Sequence, residues 1–301
     1  MTAPTTTAGR TDAYPTRGET AAAILDRPDP VLWAGPDAPG PASREELLAY
    51  ERDGVLTVDA LLTADEVAAV GGELERLGRD EALRRDDRTI LEKHSGAVRS
   101  VFEVHRLSEV VARLVADERL AGRARQILGS AVYVHQSRIN FKPGLGGGGF
   151  SWHSDFETWH AEDGMPRPRA LSVSVALTEN LTVNGPLMVM PGSHRRFVSC
   201  VGETPPEHFR ESLRDQEIGV PDEGSLTRLA VDHGIVPCTG PAGSATWFDS
   251  NTMHGSSDNI TPFPRSNLFV VFASTDDPPG EPYAAPAPRP SYIAATDLTP
   301  V

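Results

Sequence analysis

The chain of 301 residues is 39% hydrophobic and 23% charged, enough apolar material for one large core or two small ones. No apolar run approaches the roughly 18–20 residues that span a bilayer, and a formal net charge of −14 lacks the basic footprint a nucleic acid requires. Two cysteines, Cys200 and Cys238, stand outside any CxxC pair, so no disulfide framework is expected and a reducing cytoplasm fits.

Residues 1–41 are rich in Pro, Gly, Ala and Thr, and their opening, MTAPTTTAGRTDAYPTRG, has no apolar secretory core. The composition predicts a flexible arm or an extended wrap, ahead of a single domain over 42–301. Helical support is expected over about 42–129. Ser43 with Glu46, and Thr63 with Glu66, are capping-box patterns. Val67, Val70, Leu74 and Leu77 then recur on one helical face, and residues 107–128 read as one or two helices closed by Gly129.

The hydrophobic period next changes from helix to strand. Residues 131–142, AVYVHQSRINFK, alternate and are β-branched or aromatic. Further strands are expected at 171–177, 187–190, 244–248 and 268–273, with turns at Asn184-Gly185-Pro186 and Pro191-Gly192. The run Gly146–Gly149 follows a strand but precedes no Lys-Ser/Thr pair, so it is not a phosphate loop. The fold class expected is mainly β with N-terminal helices: an antiparallel jelly roll over about 130–275 and a tail over about 276–301.

The densest chemistry lies in FSWHSDFETWHAEDGMP, residues 150–166. On a strand, His153 and Asp155 at i and i+2 would share a face. His254, in TWFDSNTMHGSS, is the best candidate for a second imidazole. Two histidines and one carboxylate leave open coordination positions, as iron(II) oxygenases require. His160 is a competitor by proximity, with a supporting or surface role the alternative. Arg265, eleven residues beyond His254, could fork onto the far carboxylate of an acid co-substrate. The same ligands could instead hold zinc in a hydrolase or a non-catalytic binding protein, a reading that leaves Arg265 without a purpose.

His153-x-Asp155, NGPLMVMPGSH at 184–194 and His254 followed by Arg265 resemble the phytanoyl-CoA dioxygenase superfamily. The longer FSWHSDFETWHAEDGMPRPRALS is similar to the signature of its ectoine hydroxylase branch, and the similarity runs from about Ile24 to Tyr292. The resemblance implies a double-stranded β-helix core that uses Fe(2+), 2-oxoglutarate and O2 to hydroxylate ectoine to 5-hydroxyectoine, and a homodimer. By motif, His153, Asp155 and His254 would hold iron. Arg265, Asn140, Ser256 and Lys142 would bind 2-oxoglutarate. Gln136, Thr158, Trp159, Phe272 and Arg289 would surround ectoine.

Ectoine is a zwitterion with a delocalised cationic ring and a carboxylate. Arg289 could pair with that carboxylate and the face of Trp159 could carry the ring, a contact worth roughly 0.5–2 kcal/mol; core packing is the plain alternative for Trp159. Three further expectations complete this reading. The LGGGG run makes a mobile lip to the site. The C-terminal tail folds over the site as a lid when substrate binds. Glu157 could support a ligand, and Glu162 and Asp163 are read as a solvated loop at least as readily as partners of His160.

Overall fold

The computed structural model describes residues 12–18, 20–93 and 95–301. In chain order the strands are β1 (Ala23–Asp26), β2 (Val55–Val58), β3 (Thr89–Leu91), β4 (Val98–Phe102) and β5 (Val132–Lys142). They continue as β6 (Phe150–His153), β7 (Ala170–Ala176), β8 (Met188–Val189) and β9 (Arg196–Ser199). The last four are β10 (Val236–Pro237), β11 (Ala245–Asp249), β12 (His254–Ser256) and β13 (Arg265–Ser274). A seven-stranded sheet in the order β2-β11-β7-β13-β5-β4-β3 faces a four-stranded sheet in the order β10-β8-β12-β6. All described pairings are antiparallel, and the architecture is a double-stranded β-helix of the jelly-roll kind.

Side-chain alternation divides the large sheet. On β7, Val173 and Val175 pack outward, while Ser172 and Ser174 make hydrogen bonds on the opposite face. Leu268, Val270 and Phe272 of β13 join the outer cluster, whereas Phe269 and Val271 join inner ones. The outer face is covered by helices, chiefly Arg44–Asp53, Ala64–Arg79, Glu109–Val115 and Arg123–Leu128. Leu47, Leu74, Ile127 and Trp247 meet in that layer, each fully buried and each worth roughly 1.5–3 kcal/mol of transfer free energy. Both capping boxes form, and Gly129 ends its helix in the left-handed region at φ 61°.

The described part of the expected arm is not loose. Residues 12–41 wrap the domain: β1 pairs with β9, and Tyr14 and Arg17 are essentially fully buried. Residues 1–11 lie outside the described residues. At the other end the tail is tied down at several points. Ala284 N–H bonds the Ala161 carbonyl, Ala295 N–H that of His135 and Val301 N–H that of Val132. Gln136 donates from Nε2 to the Ile293 carbonyl at 2.8 Å. The tail is therefore packed against the domain in this structure. No helix among the described residues is long and apolar enough to cross a membrane.

Candidate metal centre and substrate chamber

β6 and β12 lie side by side with His153 opposite His254. β6 ends at His153; Ser154 then caps a helix, Asp155–Asp163, accepting from the Glu157 N–H. The expectation that His153 and Asp155 share the face of one strand is thus corrected. A strand-to-helix turn swings the carboxylate round so that both imidazoles reach it.

Asp155 Oδ1 lies 3.8 Å from His153 Nε2 and 3.9 Å from His254 Nε2. One ligand atom from each residue falls within 4.8 Å of the others, and all three residues are at most 9% exposed. His153 Nδ1 sits 2.7 Å from the Ser151 carbonyl, and His254 Nδ1 sits 2.9 Å from that of Thr252. A carbonyl only accepts, so each Nδ1 carries the proton and each Nε2 lone pair is left for a common centre. Burial, followed by the neighbouring His254, pushes His153 down to about 4, which keeps it a neutral ligand. Burial pushes the Asp155 carboxyl up, but His254, His153 and Arg138 together with the Ser172 hydroxyl at 2.9 Å hold it below its ordinary range. Two neutral imidazoles and one oriented carboxylate suit a divalent ion of the iron type.

Arg265 pairs in register with Lys142 across β13 and β5, and Lys142 reaches Ser256 on β12, two residues beyond His254. The Arg265 guanidinium is 3% exposed, yet Nε and Nη1 have no partner among the described residues. Burial alone pulls it down to about 10, and a bidentate carboxylate is the group that would satisfy it. Lys142 donates to Ser256 Oγ at 2.9 Å and to the Ser257 carbonyl at 2.6 Å. Its ammonium is pushed down to about 6 by burial and then by Arg265 and Arg99. Asn140 accepts from Ser100 Oγ at 2.7 Å. The four residues expected around 2-oxoglutarate thus come from β5, β12 and β13 at one end of the roll.

The glycine run beside them is held by hydrogen bonds in this structure. Arg99 donates to the Gly148 and Gly149 carbonyls at 3.2 and 2.6 Å, and Asp258 accepts from the Gly149 N–H at 2.6 Å. A Cβ on Gly149 would come within 2.7 Å of the Ser256 carbonyl oxygen, so only glycine lets this backbone lie against β12.

Of the residues expected around ectoine, Thr158 keeps a buried Oγ1 with no partner among the described residues. Trp159 is 2% exposed and meets the His135 ring edge-on at 5.3 Å. Phe272 does not reach the chamber, because its position on β13 turns it outward with Leu268 and Val270. Phe269 is the inward phenylalanine, with the Arg138 guanidinium 5.5 Å from its ring centroid. The alternation begun at Arg265 carries the signal that selects Phe269 over Phe272. Arg138, flanked on β5 by Gln136 and Asn140, carries the same signal; its buried Nε has no partner among the described residues.

Arg289 forks onto Asp163, with Nε 2.8 Å from Oδ1 and Nη2 2.5 Å from Oδ2. Glu157 is buried, and Glu162 and Asp163 are at most 3% exposed, which corrects the solvated-loop reading of those two. Arg17, from the N-terminal wrap, binds both Glu157 oxygens at 3.0 and 2.9 Å and Glu162 Oε1 at 2.5 Å. No local pattern around Arg17 announces this partner 140 residues away. His160 is buried under Tyr283 and bonds the Met165 carbonyl and Asp12, outside the ligand group. His94 lies outside the described residues.

The phytanoyl-CoA dioxygenase (PhyH) family profile matches residues 50–267. The ectoine dioxygenase of Streptomyces coelicolor is 60% identical over 297 residues, covering 99% of each chain. That of Stutzerimonas stutzeri is 53% identical over 94% of each. Among solved structures, EctD from S. alaskensis with 2-oxoglutarate and 5-hydroxyectoine superposes with a TM-score of 0.87 at 45% identity, covering 97% of this chain and 96% of that one. The same protein with bound Fe gives 0.84 at 45% identity, with 94% of each covered. The chain belongs to the ectoine dioxygenases of the phytanoyl-CoA dioxygenase family.

Proposed function

We propose that the protein hydroxylates ectoine to 5-hydroxyectoine, with iron(II) as metal and 2-oxoglutarate and O2 as co-substrates. The observation that carries this reading is a group of three convergent ligand atoms together with the buried Arg265 guanidinium, whose Nε and Nη1 lack partners among the described residues and whose strand neighbour Lys142 bonds Ser256 on the strand of His254. When bound, the metal and its co-substrates supply the oxidising power that turns a ring C–H into C–OH, with succinate and carbon dioxide as the other products.

This chain's residues bind, orient and exclude water. His153, Asp155 and His254 hold the metal, with Ser172 fixing the Asp155 carboxylate by its 2.9 Å hydrogen bond. Arg265 takes the distal carboxylate of 2-oxoglutarate, with Lys142, Asn140 and Ser256 beside it. Gln136, Thr158, Trp159 and Phe269 wall the ectoine chamber, and Arg289 in the tail over 276–301 takes the carboxylate of ectoine. Residues 42–301 act as one domain. The enzyme works in the cytoplasm as a homodimer. The exposed Leu145, Ile260 and Phe263, at 74%, 83% and 54%, supply apolar surface for self-association.

An assay with iron(II), 2-oxoglutarate, O2 and ectoine tests the reading. Succinate and hydroxylated ectoine are expected in equal amounts. Succinate without hydroxylated ectoine would remove ectoine as the substrate, and the absence of both from iron-loaded protein would remove the oxygenase reading.

A further inference from the structure

We infer that Asp163 is a positioning residue for recognition of the zwitterion: one carboxylate sets both the group that meets the substrate's carboxylate and the wall that faces its cationic ring. The inference rests on the roles just proposed for Arg289 and Trp159.

Asp163 is the last residue of the helix that begins at the metal ligand Asp155, and the left-handed Gly164, at φ 75°, ends that helix immediately after it. The carboxylate is engaged from two sides. From the tail, Arg289 approaches with Nε and Nη2 at 2.8 and 2.5 Å. From β5, His135 Nε2 lies 3.2 Å from Oδ2. A guanidinium held through Nε and Nη2 has its plane fixed. Nη1 has no partner among the described residues in the hydrogen bonds and ion pairs of Arg289. That nitrogen is the one left for an anion.

The histidine side of the carboxylate reaches the other recognition element. The His135 ring meets the Trp159 indole edge-on at 5.3 Å, so a change at Asp163 is felt at both Arg289 and Trp159. Glu162 does not duplicate the role, since its nearest approach to Arg289 is 3.9 Å and Arg17 occupies its Oε1. The tail contributes stiffness, with Pro288 and Pro290 flanking Arg289 and restricting its backbone. Without Asp163, Arg289 would be a buried cation with a free rotor, and binding would have to order it.

The test is ectoine binding to the anaerobic complex of the protein with iron(II) and 2-oxoglutarate, read by calorimetry, together with steady-state kinetics. In Asp163→Asn an amide N–H faces the guanidinium in place of one oxygen, and Kd and KM for ectoine are expected to rise about ten-fold or more. KM for 2-oxoglutarate should stay within about two-fold, since Arg265 lies outside this cluster. Asp163→Glu should recover part of the ectoine affinity. If Asp163→Asn does not fold, His135→Gln removes one client and spares the fork to Arg289; its ectoine Kd is expected to rise about three-fold. Wild-type ectoine affinity in a folded Asp163→Asn, or in His135→Gln where the first variant does not fold, overturns the positioning role alone. A wild-type protein that binds no ectoine overturns the functional reading beneath it as well.

Discussion

The metal centre and the acidic helix end that faces the tail sit about one helix apart, yet their polar groups are in opposite states. At the metal centre, two imidazole lone pairs and the Arg265 guanidinium stand buried with bonding capacity unspent. At the helix end, every carboxylate already has its cation: Glu157 and Glu162 take Arg17, and Asp163 takes Arg289. Unspent buried polarity marks where partners bind, because leaving it so costs free energy that only a ligand returns. Satisfied buried charge marks where geometry is being held. The helix from Asp155 to Asp163 joins the two, so its nine residues carry the proposed metal ligand at one end and the proposed recognition clamp at the other.

That contrast can be broken at either end, and the largest effect is expected at the metal. Asp155→Ala should abolish turnover and lower the iron retained after desalting, since the two remaining imidazoles cannot form the facial set. At the clamp, Arg17→Met strands two buried carboxylates and should destabilise the fold by about 3–5 kcal/mol in a urea titration. Adding Glu157→Gln to that variant should restore part of the loss, whereas an additive further loss would contradict the pairing. Arg265→Lys keeps the charge but not the fork; KM for 2-oxoglutarate is expected to rise by the equivalent of about 1.5–3 kcal/mol, with the melting temperature little changed.

The smallest effect is electrostatic. Burial pushes the Asp163 carboxyl up, but Arg289 and His135 bring it from 3.8 to about 2. A lowered carboxyl means that the unfolded chain binds more protons within that window. The contribution is therefore complete above about pH 4 and lost as pH falls through about 2, worth roughly 2 kcal/mol. Asp163→Asn should flatten the stability profile between those values, and an unchanged slope would contradict the assigned ion pair.

Local patterns made much of this readable. The capping boxes at Ser43 and Thr63, the helix face of Val70, Leu74 and Leu77, and the strand expected over 131–142 all reappear in the structure. Residue type and spacing point to the three residues whose ligand atoms converge, although His153 and Asp155 are joined by a strand-to-helix turn and not by one strand face. Ser154 is a good helix cap, and that competing preference ends the strand at His153. The family resemblance points to Phe272, whereas the alternation of β13 turns Phe269 inward and Phe272 outward. The acids after Trp159 looked solvated because their partners, Arg17 and Arg289, lie 126 to 145 residues away. Only tertiary packing brings the two ends of the chain onto one helix.

In the proposed function, the trio and Arg265 together hold a chelated keto acid on iron(II). Anaerobic addition of iron(II) and then 2-oxoglutarate tests it most directly, by following the visible charge-transfer band that such a chelate produces. The band should form with the wild-type protein, change on adding ectoine, and be lost in Asp155→Ala. In Arg265→Lys it should require far more 2-oxoglutarate. A wild-type protein that retains iron yet forms no band, or an Asp155→Ala protein that forms it normally, would contradict the assignment.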